Sequence, residues 1–314
     1  MSKPGTIERV VIVGAGAMGC LFAAKLGRSG VDVTLVDIDP ARMALIDAEG
    51  LRLHDDSGEQ VVRVRAMAAD TVRGAVDLVI LFTKGIHTRS AAASVRHLAA
   101  EKPAVLTLQN GAGNAELIAQ AFPEECIVVG TAHVPADIHL PNTVHSSGFG
   151  HLAVGNFRPG EAGHAPAVAE ALRKAGFQTE LSEDVDAVVW EKLAFNAALN
   201  ALAMVTRSSN GEMDNPFARR IARQLVVEAV RVAEARGTKL DEAQIISTVE
   251  RALAEHPGHK ASMLQDREAG RATEIDFING AVIREGERLG IATPAHAIIY
   301  DLVKFAELKD QISV

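Results

Sequence analysis

The first half of the chain repeats one pattern, and that repetition limits the available folds more than any other feature. Short β-branched runs, Arg9–Gly14 (RVVIVG), Asp32–Asp37 (DVTLVD), Asp77–Thr83 (DLVILFT), Ala104–Gly111 (AVLTLQNG) and Cys126–Ala132 (CIVVGTA), alternate with helix-like stretches. Strands apolar on both faces and separated by helices predict a parallel sheet covered on both sides. After about Glu180 the strand pattern stops and a 3.6-residue period takes over in Val185–Thr206, Pro216–Arg236, Asp241–Glu255, Glu274–Leu289 and Pro294–Leu308. The predicted fold class is therefore an α/β Rossmann-type N-terminal domain, residues 1–182, followed by an all-α C-terminal domain, residues 183–314. A length of 314 residues with 48% hydrophobic content fits two domains, because single cores stop growing at roughly 250–300 residues.

The first strand runs straight into Val10–Gly19 (VVIVGAGAMG), which sets Gly14, Gly16 and Gly19 between a strand and a helix. Gly14 permits the tight turn, Gly16 lets backbone approach a pyrophosphate, and Gly19 allows close packing of helix on strand. The helix N-terminus, with Ala17 and Met18, faces the phosphates. The second strand ends in Asp37, where the ribose-binding acid of a dinucleotide site is expected. A carboxylate there accepts ribose hydroxyls and repels a 2′-phosphate, so NAD is favoured, with NADP possible. Ile38, Asp39 and Pro40 offer no cation, and Arg42 is the nearest candidate. Asp39, directly before a proline, suits the cap of the next helix. Lys84 and Asn110 follow later strands, at the ends where ligands bind in open α/β sheets. Lys84 can equally be a solvated surface lysine and Asn110 a turn residue before Gly111.

In the helix Val185–Thr206, Lys192, Asn196 and Asn200 recur at every fourth position and form one polar stripe. Burying an unsatisfied amide costs ~1–3 kcal/mol and an unpaired ammonium more, so the stripe needs solvent or polar partners. Apart from Glu191, Lys192 is the only charge between it and Arg207, unlike an ordinary solvent face, and a stripe lining a cleft is the preferred reading. A second constellation lies in Ala261–Pro294, with Ser262 and Asp266 four apart, Thr273 placed to cap a helix, and Glu274 and Asp276 in its first turn, where Asp276 complements the dipole.

The formal net charge of -8 and the lack of a basic run argue against nucleic acid or an anionic membrane as partner. No apolar run approaches the ~20 residues of a membrane span, and the N-terminus carries no signal-peptide pattern, so a soluble, cytoplasmic protein is expected. Cys20 and Cys126 lack metal spacing and read as buried thiols.

Taken together, GAGAMG, TKG, LQNG, WEKLAFNAALN, SMLQDREAGRATEIDFING and GIATP, in this order, resemble the ketopantoate reductase family over almost the whole chain. The resemblance implies hydride transfer from a nicotinamide cofactor to the 2-oxo carbon of a small acid, without a metal. It implies Lys192 as general acid, Glu274 as its assistant at the substrate, and Asn110, Asn196, Asn200, Asn210 and Ser262 as substrate contacts. Lys84 and Asn110 would also lie near the cofactor, and the helical domain could support a homodimer. Two features depart from the pantoate pattern: Asp37 and Ile38 replace a basic stretch, and His259 stands three residues before Ser262 where an asparagine is common. Both resemble the NAD-dependent D-2-hydroxyacid dehydrogenases of the D-mandelate type, which act on branched or aromatic 2-oxo acids. A non-catalytic dinucleotide sensor is the third reading, and Lys192 and Glu274 together with three asparagines speak against it.

Overall fold

A computed structural model describes residues 6–139, 141–148, 150–158 and 163–312, so Met1–Gly5 of the N-terminal lead lie outside the described residues. The chain divides into two compact units, one of Met1–Gln109 with Asn114–Val185, the other of Asn110–Gly113 with Asp186–Val314.

The first unit is built on an eight-stranded sheet. Its spatial order is Gln178–Leu181, His151–Asn156, Ile127–His133, Ala104–Thr107, Leu78–Leu81, Arg9–Val13, Asp32–Val36 and Arg65–Met67. Along the central strands the two-residue period sorts side chains between two cores. Val10 and Ile12 join one apolar cluster with Leu35, Ile80 and Leu106, while Val11 and Val13 join another with Val36, Val79 and Leu81.

The expected all-parallel sheet needs one correction. His151–Asn156 runs antiparallel to Ile127–His133, whereas the remaining neighbours in this sheet are parallel. Between these two strands the chain passes through Asp137–His139 and Thr143–His145 rather than a crossover helix, so nothing enforces parallel return. Those two short strands pair with Leu51–Asp55 and Gly58–Val62 in a separate four-stranded sheet. Leu51 and Leu53 are buried and Arg52 between them is exposed, a one-sided pattern that a search for runs apolar on both faces overlooks.

The second unit is helical, with Val185–Thr206, Pro216–Ala235, Glu242–Glu255, Asn279–Leu289 and Pro294–Ile312 as its long helices. Val185–Thr206 lies in its core: Trp190, Leu193, Ala194, Ala197, Ala198, Leu199, Ala201 and Leu202 are all buried. At 22 residues and a mean hydropathy of 1.2, this helix is long and apolar enough to cross a membrane, which corrects the expectation that no run approaches that length. Its apolar positions are instead covered by protein, 61% of its most apolar window being buried.

A second correction concerns the expected helix from Glu274, which starts only at Asn279. Residues 274–278 form a tight turn in which Phe277 and Ile278 N–H both donate to the Glu274 carbonyl. Thr273 Oγ1 accepts from Ile275 N–H at 3.3 Å and so caps that turn rather than the helix. The carboxylate of Asp276 is engaged by Tyr300 and Lys304, not by a helix dipole.

Candidate active-site residues

In the first unit, Gly14 follows the strand Arg9–Val13 with φ +105°. A Cβ there would stand 2.9 Å from the backbone of Phe82 and Thr83, so only glycine fits. Gly16 caps the helix Ala17–Arg28, and a Cβ added to it would meet nothing within 4 Å. This is the open approach that a pyrophosphate needs, with Ala17 and Met18 half-buried behind it. At Gly19 a Cβ would lie 1.8 Å from the Gly14 carbonyl oxygen, which fixes how closely helix and loop pack. The three glycines thus divide the work a dinucleotide loop requires: Gly14 makes the turn, Gly16 leaves the approach open, and Gly19 lets helix pack on loop.

Asp37 lies at the end of its strand, where its carboxylate accepts from Ala15 N–H at 2.6 Å and from Ile38 N–H at 2.7 Å. Ile38 itself is 98% exposed. Asp39 does cap the helix Pro40–Glu49, accepting from Arg42 N–H at 3.0 Å. The Arg42 guanidinium is held by the Pro141 carbonyl at 2.7 Å and by Cys20 Sγ at 3.4 Å. Cys20 and Cys126 are both buried free thiols, and burial pushes the Cys20 thiol up to about 11 despite the nearby arginine.

Lys84, partly exposed, follows the strand Leu78–Leu81. Sequence reasoning missed Gln109, whose amide nitrogen donates to the Thr83 carbonyl at 2.6 Å and Thr88 Oγ1 at 2.8 Å. The same side chain accepts from Thr107 Oγ1, so it ties together the segments that follow two neighbouring strands. Its only sequence signal was an amide directly after an apolar run.

The second unit gathers most of the remaining predicted residues. Lys192, Asn196 and Asn200 share a face of Val185–Thr206, Asn200 being only 6% exposed. Asn200 donates to Ser262 Oγ at 3.3 Å, which joins the stripe to the start of the helix Ser262–Glu268. Burial drives the Lys192 ammonium down, Glu274 pulls it partly back, and the result is a pKa of about 8. Glu274 also accepts from Asn110 Nδ2 at 3.4 Å.

Asn110 belongs to the short segment that packs with this helical unit. Gly111 beside it has φ +90°, and Ala112 N–H donates to the Phe277 carbonyl at 2.9 Å. Asn110, Glu274 and Lys192 are thereby brought to one place by a turn, a loop and a helix.

Asn210 is set differently, with its amide nitrogen donating to the Ala252 carbonyl at 2.9 Å and its N–H to the His259 carbonyl at 3.0 Å. His259 is exposed in the loop after Glu242–Glu255. Asn279 and His296, also missed from sequence, are buried beneath the turn: Asn279 Nδ2 bonds the Ala197 carbonyl and His296 Nδ1, and His296 Nε2 bonds the Leu225 carbonyl.

A glycine-rich strand-to-helix loop in one unit and a lysine–glutamate–asparagine cluster in the other accord with the class the relatives define, a nicotinamide-dependent oxidoreductase acting on CH–OH groups. Residues 10–159 match the family described as Ketopantoate reductase PanE/ApbA, and residues 184–307 match its C-terminal counterpart, so the chain belongs to the ketopantoate reductase family. A 2-dehydropantoate 2-reductase of Halobacterium salinarum is 31% identical over 301 residues, covering 95% of this chain and 99% of the relative. Among solved structures, D-mandelate dehydrogenase in a ternary complex with NADH and anilino(oxo)acetate is similar with a TM-score of 0.91 and 29% identity, covering 96% and 99% of the two chains. A PanE/ApbA family ketopantoate reductase from Ralstonia eutropha JMP134 gives a TM-score of 0.86 and 32% identity, with coverage of 96% and 99%.

Proposed function

We propose that this chain reduces 2-dehydropantoate (ketopantoate) at its 2-oxo carbon. The observation that carries the reading is Lys192, a largely buried ammonium set against Glu274, which in turn accepts from Asn110. The nicotinamide, when bound, supplies the hydride. As negative charge develops on the substrate oxygen, Lys192 Nζ stabilises it and donates the proton. Glu274 holds the ammonium charged enough to do so near neutral pH. Asn110, Asn196, Asn200 and Ser262 form the substrate set, their amides and hydroxyl suited to a carboxylate and a hydroxyl group, while Asn210, its amide nitrogen taken by the Ala252 carbonyl, ties down the His259 loop. Gly14, Gly16, Ala17, Met18 and Gly19 hold the pyrophosphate, and Lys84 serves the nicotinamide end.

For the cofactor we favour NAD. Two ribose hydroxyls can donate to Asp37, while a 2′-phosphate would meet its charge, and Arg42 is held by Pro141 rather than directed to a phosphate. The same residue supports the second reading, an NAD-dependent D-2-hydroxyacid dehydrogenase for branched or aromatic acids, since the D-mandelate dehydrogenase noted above is bound to NADH. Turnover of ketopantoate, phenylglyoxylate and 2-oxoisovalerate, each with NADH and NADPH, separates the two. Highest kcat/KM on ketopantoate supports the first, highest on phenylglyoxylate the second, and a clear NADPH preference overturns the role given to Asp37.

The partner we favour is a second copy. On the helix Pro294–Ile312, Ile298, Leu302, Phe305 and Leu308 are exposed at spacings that put them on one face. An antiparallel pairing centred on Phe305 sets Leu302 opposite Leu308 and Asp301 opposite Lys309, so apolar and charged positions match themselves across a two-fold axis.

A further inference from the structure

The turn bearing Glu274 is anchored on both flanks to one face of the helix Pro294–Ile312. Upstream, Thr273 N–H and Oγ1 donate to Glu307 Oε1 at 3.0 and 2.7 Å. Downstream, Asp276 accepts from Tyr300 Oη at 2.6 Å and from Lys304 Nζ at 3.3 Å. Lys304 also lies 3.3 Å from Glu307 Oε2, which closes the chain Thr273–Glu307–Lys304–Asp276–Tyr300. Tyr300, Lys304 and Glu307 are spaced four and three apart, so one helix face serves all of them. Thr273 is only 3% exposed, and Ile275 and Ile278 inside the turn are fully buried. The hydrogen bond to Asp276 raises the Tyr300 pKa. Burial works against the Lys304 ammonium, yet Asp276 and Glu307 outweigh it and hold its pKa above the ordinary lysine value.

We propose that Glu307 and Tyr300 are positioning residues for Glu274: by pinning the turn at Thr273 and Asp276, they keep the Glu274 carboxylate against Lys192 and Asn110. This rests on the reading of Lys192 and Glu274 given above. Glu274 is the charged group that acts on Lys192; Asp276, Lys304 and Glu307 are the charges of the anchoring network, and Glu191, next to Lys192 in the helix, is exposed. Because Glu274 raises the Lys192 pKa, any shift of the turn away from the lysine lowers it. A residue that served stability alone would not move that titration.

The test is the pH profile of reductive kcat in Glu307→Ala, Glu307→Gln, Glu274→Gln and the Glu274→Gln/Glu307→Ala pair, with cofactor binding read by fluorescence quenching. Glu307→Ala is expected to lose about 10- to 100-fold in kcat. Its alkaline limb should move to lower pH, as in Glu274→Gln, while cofactor affinity holds. Glu307→Gln keeps an oxygen for Thr273 and should restore the wild-type limb, and the pair should move no further than Glu274→Gln alone. A displaced limb in Glu307→Gln would mean distant charge rather than positioning and would overturn the proposal. A wild-type limb in Glu307→Ala beside a shifted one in Glu274→Gln would do the same. An unmoved limb in Glu274→Gln would instead refute the Lys192–Glu274 reading beneath it. Should Glu307→Ala fail to fold, Tyr300→Phe takes its place with the same expected limb, and an unshifted limb there overturns the proposal.

Discussion

Gly111→Ala puts a single methyl group where the loop carrying Asn110 meets the turn carrying Glu274. Gly111 has φ +90°, and a Cβ built on it lies 2.1 Å from the Phe277 carbonyl oxygen and 2.6 Å from its carbon. Both are backbone atoms, so no side chain can swing away, and the two segments must part by about 1 Å to reach ordinary contact. Strain at such a backbone angle costs ~1–3 kcal/mol. Weakening the bond from Ala112 N–H to the Phe277 carbonyl adds ~1 kcal/mol. The expected loss is therefore about 2–4 kcal/mol, read as a lower urea midpoint. The kcat should fall by about tenfold or more because Asn110 and Glu274 move apart. Gly113→Ala is the control, since Gly113 has φ +99° but a Cβ there meets nothing within 4 Å. It should show the strain alone and keep its kcat. Equal losses of stability and rate in the two variants would refute the role of the Phe277 contact.

The pH dependence follows from Lys192 with a pKa of about 8. Only the ammonium can donate a proton, so reductive kcat should be flat below that value and fall as pH rises through it, approaching tenfold per unit, whereas oxidation of the hydroxy acid should gain rate over the same range. Profiles measured in both directions that fail to mirror each other would contradict the assignment. For self-association, Asp301→Lys and Lys309→Asp should each yield monomer by light scattering, and the double exchange should restore the dimer. A dimer indifferent to all three variants would exclude this face.

Much of this was legible in the sequence because it rests on periodicity. The two-residue sorting of Val10–Val13 and the glycine spacing from Gly14 to Gly19 depend on neighbours in the chain, and the polar stripe from Lys192 to Asn200 is simple helix geometry. What was not legible depends on distant partners. The start of the helix at Asn279 rather than Glu274 reflects anchors 34 and 24 residues away, at Glu307 and Tyr300. Nothing local marks Asn279 and His296, two residues after Pro294, as a buried pair. The second sheet is hidden in the sequence because Leu51–Asp55 and Gly58–Val62 bury few side chains, and Asp137–His139 and Thr143–His145 are only three residues long.

The central claim is that Lys192 delivers the proton to the reduced carbonyl. The most direct measurement compares Lys192→Ala with the wild type in steady-state reduction of ketopantoate, alongside the dissociation constant of the cofactor. A fall in kcat of about 10²–10⁴-fold with cofactor affinity unchanged is the predicted result. A variant that keeps wild-type kcat would contradict it.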